Sequence, residues 1–164
     1  RLQKMGVIVR ILSGDRRAVV YQLARRLKIK AFEAGLSPEQ KLERIGDFVR
    51  AGCPTIMVGD GVNDAPALAA ATVGMAIGTG ADVAREAADI CLMGHSPKLI
   101  PQAIRLSRQS ARIMRQNLFW ALVYNVVMLP VAVFTALPPA LATAAMMCSS
   151  LSVVANSLRL RRLA

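Results

Sequence analysis

The chain has 164 residues, of which 54% are apolar and only 19% are charged. Its 21 Lys and Arg residues outnumber its 10 Asp and Glu residues, which gives a formal net charge of +11 at pH 7. This composition excludes an intrinsically disordered chain, because the apolar fraction is too high and the charged fraction too low. The basic balance leaves three kinds of partner open: a nucleic acid, an anionic membrane surface or a phosphate-bearing substrate.

The charges are unevenly distributed along the chain. All acidic residues lie between Asp15 and Asp89, and the 43 residues between Arg115 and Arg159 contain neither a charged residue nor a histidine. A membrane span needs about 20 apolar residues, so this stretch is long enough for two, with a turn at Leu137-Pro138-Pro139. Arginines flank the stretch on both sides, and the positive-inside rule therefore predicts that both ends face the cytoplasm.

Membrane topology accounts for the excess positive charge, so we predict no nucleic-acid partner. A basic balance without an aromatic stacking motif is also weak evidence for nucleic-acid binding. A buried helical hairpin in a soluble protein remains the alternative interpretation of the uncharged stretch.

In chain order, the first 97 residues alternate β-branched runs with helical patterns, which is typical of a parallel α/β sheet. The predicted strands cover 7–12, 30–33, 55–58, 73–77 and 90–93, and the predicted helices cover 18–27, 38–50, 65–71 and 81–87. Ser37 is the predicted N-cap of the second helix, with Pro38 at its first position and Gln40 completing a capping box. We expect the strand ends at Ser13 and Asp60 to be neighbours at the ligand-binding edge of one sheet. From residue 96 a helical pattern runs into the uncharged stretch.

The most specific stretch is Met-Val-Gly-Asp-Gly-Val-Asn-Asp-Ala-Pro-Ala-Leu at 57–68. A predicted strand ends there in a glycine-rich turn that presents Asp60 and Asp64, with Asn63 between them. Hard carboxylate oxygens at such a turn suit Mg²⁺ bound beside a substrate phosphate, and the glycines permit close backbone approach. Gly, Asn and Asp are also common turn formers, so an isolated Asp-Gly pair would indicate only a turn.

This string resembles the hinge motif of the P-type ion-pumping ATPases, which belong to the haloacid dehalogenase superfamily. Leu-Ser-Gly-Asp at 12–15 resembles their threonine-glycine-aspartate phosphate-binding segment, and Pro-Glu-Gln-Lys at 38–41 resembles the segment with the superfamily lysine. The resemblance implies that the hydroxyl of Ser13, which replaces threonine, bonds the phosphoryl group and that Lys41 offsets its charge. It further implies catalytic roles for Gly14, Asp15 and Asn63, and Mg²⁺ binding by Asp60 and Asp64.

Two segments of the uncharged stretch carry the information about the transported ion. Tyr124-Asn125 and Met146-x-x-Ser149-Ser150 resemble the last two helices of copper-transporting heavy-metal P-type ATPases. The resemblance implies that Tyr124, Asn125, Met146 and Ser150 bind Cu(I) or line its path. Thioether sulfur selects soft ions, and neither predicted span contains a carboxylate. A zinc- or cadmium-transporting relative is the alternative.

The resemblance implies an α/β fold: a partial Rossmann-like haloacid-dehalogenase phosphorylation domain followed by a two-helix transmembrane hairpin. The expected boundaries are 1–97 for the phosphorylation domain, 98–115 for a cytoplasmic basic helix or linker, 116–136 and 140–158 for the membrane helices, and 159–164 for a basic tail. The intact protein would be an integral protein of the plasma (inner) membrane, with the phosphorylation domain and carboxyl terminus cytoplasmic. It would export Cu(I) using ATP and Mg²⁺, with the lipid bilayer and a copper chaperone as candidate partners.

The phosphorylated Asp-Lys-Thr-Gly-Thr motif of the family does not occur in these residues. The chain begins with Arg1 and no signal peptide precedes its first apolar run, so we expect the carboxyl-terminal part of a longer protein that does not pump alone. A membrane-anchored haloacid-dehalogenase-type phosphatase is disfavoured, because it needs a nucleophilic aspartate on its first strand. A non-catalytic membrane fragment is the third interpretation.

Overall fold

The computed structural model describes residues 1–60, 62–78, 86–135 and 138–162. The chain divides into two compact units, Arg1–Pro101 and Gln102–Ala164. The first unit is the α/β part, and the second consists mainly of long helices.

In the first unit, short strands alternate with helices as the sequence predicts. The strands are β1 (Arg10–Leu12), β2 (Ala31–Glu33), β3 (Ile56–Gly59), β4 (Val73–Ile77) and β5 (Ile90–Leu92), and the helices are α1 (Arg17–Leu27), α2 (Pro38–Arg50) and α3 (Ala65–Ala70). Each lies within three residues of its predicted bounds. The helix predicted over 81–87 falls largely outside the described residues.

The strands of the described residues form two parallel sheets. β1 pairs with β2, with Ile11 opposite Phe32, and β3, β4 and β5 form a separate three-stranded sheet. The prediction that Ser13 and Asp60 end neighbouring strands of one sheet is therefore wrong. Residue patterns indicate which face of a strand is buried, but they do not identify the strand that supplies its backbone hydrogen bonds.

Helix α2 begins at the predicted cap. The Ser37 backbone N–H donates to Gln40 Oε1 (2.9 Å), and the Gln40 N–H donates back to Ser37 Oγ (3.3 Å). Pro38 occupies the first helical position. A backbone N–H there would have no acceptor within the helix, so proline loses no helical hydrogen bond. The cap therefore fixes where α2 starts and which of its residues lie in the first turn.

A hydrophobic cluster connects the two sheets of the first unit. It consists of Ile45 from α2, Met57 from β3, and Ala67 and Leu68 from α3, and Leu12 of β1 packs against it. β1 and β3 therefore share a core although they belong to different sheets. Leu68 is fully buried and lies at the centre of this cluster.

The second unit contains most of one long helix, α4 (Leu99–Thr135), and a second helix, α5 (Pro139–Leu158). α4 is continuous through the segments predicted as a basic helix or linker and as the first membrane span. Among the described residues, no helix combines the length and the hydropathy that crossing a membrane requires. The structure thus does not confirm the predicted transmembrane hairpin.

The burial of Leu68 predicts a large effect of truncation. Leu68→Ala should lower the free energy of unfolding by about 2–5 kcal/mol, because it removes apolar contacts and leaves a cavity. Urea unfolding of the 164-residue chain in detergent micelles, followed by circular dichroism, measures this loss. Leu27→Ala is the control, since Leu27 is 54% exposed. Equal losses in the two variants would show that the α/β core is not centred on Leu68.

Candidate functional site

The Ser13–Asp15 turn is fixed by the loop that follows β2. The Ser13 N–H donates to the Glu33 carbonyl (3.1 Å), and the Ser13 carbonyl accepts from the Leu36 N–H (3.0 Å). The Ser13 hydroxyl donates to Asp15 Oδ2 (3.2 Å) and accepts from the Asp15 N–H (3.2 Å). The backbone frame therefore holds a hydroxyl and a carboxylate at the end of β1.

The same loop leads directly into the first turn of α2. There the Ser37 hydroxyl donates to Glu39 (2.6 Å), and this hydrogen bond lowers the pKa of the Glu39 carboxyl below its usual value. Lys41 follows in that turn, and its Nζ lies 2.8 Å from Asp64 Oδ1. The two side chains are only 14% and 15% exposed. A charge-assisted hydrogen bond of this kind contributes about 1.5–3 kcal/mol.

Asp64 packs tightly against the end of β3. A Cβ added at Gly59 would lie 2.7 Å from Asp64 Cβ and 2.9 Å from its Oδ2, distances that real Cβ atoms essentially never adopt. Only glycine at position 59 therefore permits this approach. Residues Val62–Asp64 form a single 3₁₀ turn, and α3 starts at Ala65.

The structure brings together some of the predicted site residues. Lys41 and Asp64 form an ion pair, and Asp60 and Asn63, both exposed, lie on the same turn as Asp64. Gly61 is outside the described residues. Among the hydrogen bonds of the described residues, none joins Ser13 to Lys41 or to Asp60.

The arrangement fits a magnesium ion together with a phosphate group. Lys41 already occupies one oxygen of Asp64, while Asp60 presents an exposed carboxylate. Within the described residues, no group of three His, Cys, Asp or Glu side chains forms a complete metal cage. Mg²⁺ is typically bound by one or two carboxylates, with water and substrate phosphate completing its ligands, so these donors match its chemistry.

In the second unit, polar side chains join α4 to α5. Asn156 Nδ2 donates to Asn117 Oδ1 (2.8 Å), and Asn117 Nδ2 donates to Ser157 Oγ (3.0 Å). Gln116 accepts a longer bond from Asn156 (3.4 Å). We call Gln116, Asn117, Asn156 and Ser157 the amide cluster. Sequence reasoning missed Asn117, although an amide within each of two long apolar helices is a recognisable signal for a helix pair.

Gln116, Asn117 and Asn156 of the amide cluster line a cavity of about 410 Å³ between the two helices. Tyr124 lines it from α4, α5 contributes Ser152, Val153 and Asn156, and Arg159 lines it from just beyond the end of α5. Met146, which is 72% exposed, and the exposed Asn125 and Ser150 are not among its lining residues.

The pairing of Asn117 with Asn156 and Ser157 also sets the register of the two helices. Antiparallel helices rise equally per residue, so this register brings Tyr124 to the level of Ser149 and Ser150. Met146 lies about one turn nearer the start of α5.

The chain is similar to known proteins along its whole length. A family model described as haloacid dehalogenase-like hydrolase matches residues 1–72. A copper-exporting P-type ATPase of Staphylococcus aureus (strain JH9) is 46% identical over 163 residues, which are 99% of this chain but 20% of that protein. The chain thus spans about a fifth of the length of this relative.

Solved structures show the same relationship. A zinc-transporting PIB-type ATPase in its E2.Pi state matches 97% of this chain and 26% of its own, with a TM-score of 0.87 and 37% identity. The catalytic domain of a CPx-ATPase matches 56% of this chain and 36% of its own, with a TM-score of 0.53 and 43% identity. Both the α/β unit and the long helices therefore have counterparts in P-type ATPases.

The close approach at Gly59 predicts opposite effects of alanine at two glycines. Gly59→Ala should lower the free energy of unfolding by about 1–3 kcal/mol, because the new methyl group overlaps Asp64. Gly46→Ala in α2 should instead raise it by about 0.4–1 kcal/mol, since its methyl group meets only the flexible Arg50 side chain. Urea unfolding of both variants measures the difference. A neutral Gly59→Ala would contradict the packing of Asp64 on β3.

Proposed function

We propose that this chain, a homologue of copper-exporting P-type ATPases over its whole length, forms part of an ATP-driven Cu(I) export pump. Its first unit supplies phosphate- and magnesium-binding residues of the phosphorylation domain. Its second unit supplies two membrane helices with residues of the copper path.

The observation that carries the phosphate role is the ion pair between Lys41 and Asp64. It holds an ammonium group, only 14% exposed, against the turn that carries Asp60 and Asn63. An ammonium group in such a position offsets phosphoryl charge. The Ser13 hydroxyl, which donates its one proton to Asp15 in this structure, would turn that proton to a phosphoryl oxygen.

Asp60 and Asp64 would hold Mg²⁺, with Asn63 completing the polar edge of the site. When bound, the ion supplies positive charge that counters the charge of the transferred phosphoryl group. The protein's own contribution is positional, since Gly59 and the ion pair with Lys41 fix the Asp64 carboxylate.

The sheet topology supports incorporation into a larger domain. In the described residues, β1 pairs only with β2 and β3 pairs only with β4, yet Leu12 and Met57 contact one hydrophobic core. Open edges of parallel strands are stabilised when another strand pairs with them. A strand from the remainder of the pump would pair there and bring the phosphorylated aspartate to Lys41.

The second unit belongs, in this proposal, in the plasma (inner) membrane. Its 43-residue uncharged stretch carries many large apolar side chains that are more than half exposed, among them Phe119, Leu122, Val126, Leu129 and Leu151. Exposed apolar surface of this extent is stable when lipid covers it. The arginines at both ends favour a cytoplasmic location of the α/β unit and of the carboxyl terminus.

Copper is the proposed cargo because the candidate ligands are soft or neutral. Met146 offers a thioether, while Tyr124, Asn125 and Ser150 offer neutral oxygens. The helix register places Tyr124 level with Ser149 and Ser150, which supports a single ion path lined by both helices. A copper chaperone would deliver the ion. The similarity to a zinc-transporting ATPase makes zinc the second candidate.

The phosphate role predicts the effect of removing one carboxylate. In the intact pump that contains this chain, Asp60→Asn should abolish Mg²⁺-dependent phosphoenzyme formation, because an amide lacks the charge that holds the ion. Labelling with radioactive ATP measures the phosphoenzyme. Asp47→Asn is the control, because Asp47 is an exposed partner of Arg44 and Arg50 on α2. This substitution should leave phosphoenzyme formation nearly unchanged. Wild-type labelling of the Asp60 variant would contradict its metal role.

The copper role predicts different effects at two adjacent methionines. Met146→Leu keeps the volume but removes the sulfur, so it should lower Cu(I)-stimulated ATPase activity of the intact pump by tenfold or more, an order-of-magnitude expectation for a lost ligand. Met147→Leu should change activity little, since the next helical residue points about 100° away. Equal effects would indicate packing instead of ligation. Stronger stimulation of the wild type by Zn²⁺ than by Cu(I) would favour zinc.

A further inference from the structure

A basic and aromatic stripe runs along the surface of α4. Arg108, Arg112, Arg115 and Phe119 follow one another at intervals of four, three and four residues, so they share one face of the helix. All three arginines are exposed, and Phe119 is 59% exposed. No acidic residue occurs anywhere in the chain after Asp89.

The stripe borders a groove of about 480 Å³ whose lining residues all belong to α4. Trp120 closes one end of this groove and packs edge-on against Phe119, with ring centroids 5.5 Å apart. One end therefore offers guanidinium groups and the other offers aromatic rings. Gln116 contributes an amide between them.

We infer that this groove binds the phosphate headgroup of an anionic phospholipid. Guanidinium groups match phosphate oxygens in charge and geometry, and aromatic rings are typical of the headgroup level of a bilayer. The stripe leads directly into the uncharged stretch that starts at residue 116, so acyl chains would run along the apolar part of α4. The inference rests on the membrane location within the proposed function.

Trp120 is the single tryptophan of the chain and lines both the groove and the cavity between α4 and α5, so its fluorescence reports lipid beside this part of α4. The 164-residue chain is reconstituted into vesicles containing equal amounts of phosphatidylcholine and phosphatidylglycerol. In separate samples, one or the other lipid carries brominated acyl chains, which quench a nearby tryptophan. The ratio of the two quenching efficiencies measures which lipid is enriched beside Trp120.

We expect phosphatidylglycerol to be enriched about fivefold or more, the factor that one arginine contributes at an anionic membrane surface. The double variant Arg112→Gln/Arg115→Gln should lose this enrichment. Brominated phosphatidylcholine should still quench Trp120 in the variant, which would show that the variant remains inserted in the membrane. The charge-matched variant Arg17→Gln/Arg26→Gln on α1 should keep the enrichment.

Strong and equal quenching by both lipids in the wild type would overturn the headgroup site and leave the membrane location intact. Equal loss of enrichment in the two double variants would also overturn it, because the preference would then follow net charge. Weak quenching by both lipids would overturn the membrane location itself, and the headgroup site with it.

Discussion

The ion pair between Lys41 and Asp64 is the contact on which the proposed phosphate site of the α/β unit depends. It joins the first turn of α2 to the turn after β3, and it is mostly removed from water. Neither side chain could lose its partner without leaving a poorly solvated charge, which is strongly destabilising. The cap at Ser37 and the missing side chain at Gly59 both serve this geometry, because they fix the two segments that meet.

In the helical unit, hydrogen bonds between neutral amide groups fix how two elements meet, as the ion pair does in the α/β unit. Asn117 and Asn156 bond to each other between helices whose other surfaces are largely apolar, so they determine how the helices align. In a low-dielectric environment a mismatched register would leave amides without partners, which is costly. A helix pair aligned in this way can present Tyr124 and Ser150 at one level without any contact between their side chains.

Local features of the fold could be predicted from the sequence. The start of α2 followed from Ser37, Pro38 and Gln40 because a capping box involves only neighbouring residues. The turn with Asp60 and Asp64 was predictable because its twelve-residue string is specific.

Long-range partners could not be predicted. The bond between Lys41 and Asp64 joins residues 23 apart, and the bond between Asn117 and Asn156 joins residues 39 apart. The placement of β1 and β3 in different sheets is also decided by distant parts of the chain. Such contacts depend on how whole elements pack, which residue periodicity does not specify.

In the proposed pump, Ser13, Lys41 and Asp60 act on one phosphoryl group. A crystal structure of the intact pump with Mg²⁺ and beryllium fluoride, a mimic of the bound phosphoryl group, would test this arrangement. We expect Ser13 Oγ and Lys41 Nζ both to lie within about 3 Å of fluoride and an Asp60 oxygen to bind the metal. A fluoride group that contacts neither Ser13 nor Lys41 would rule the arrangement out.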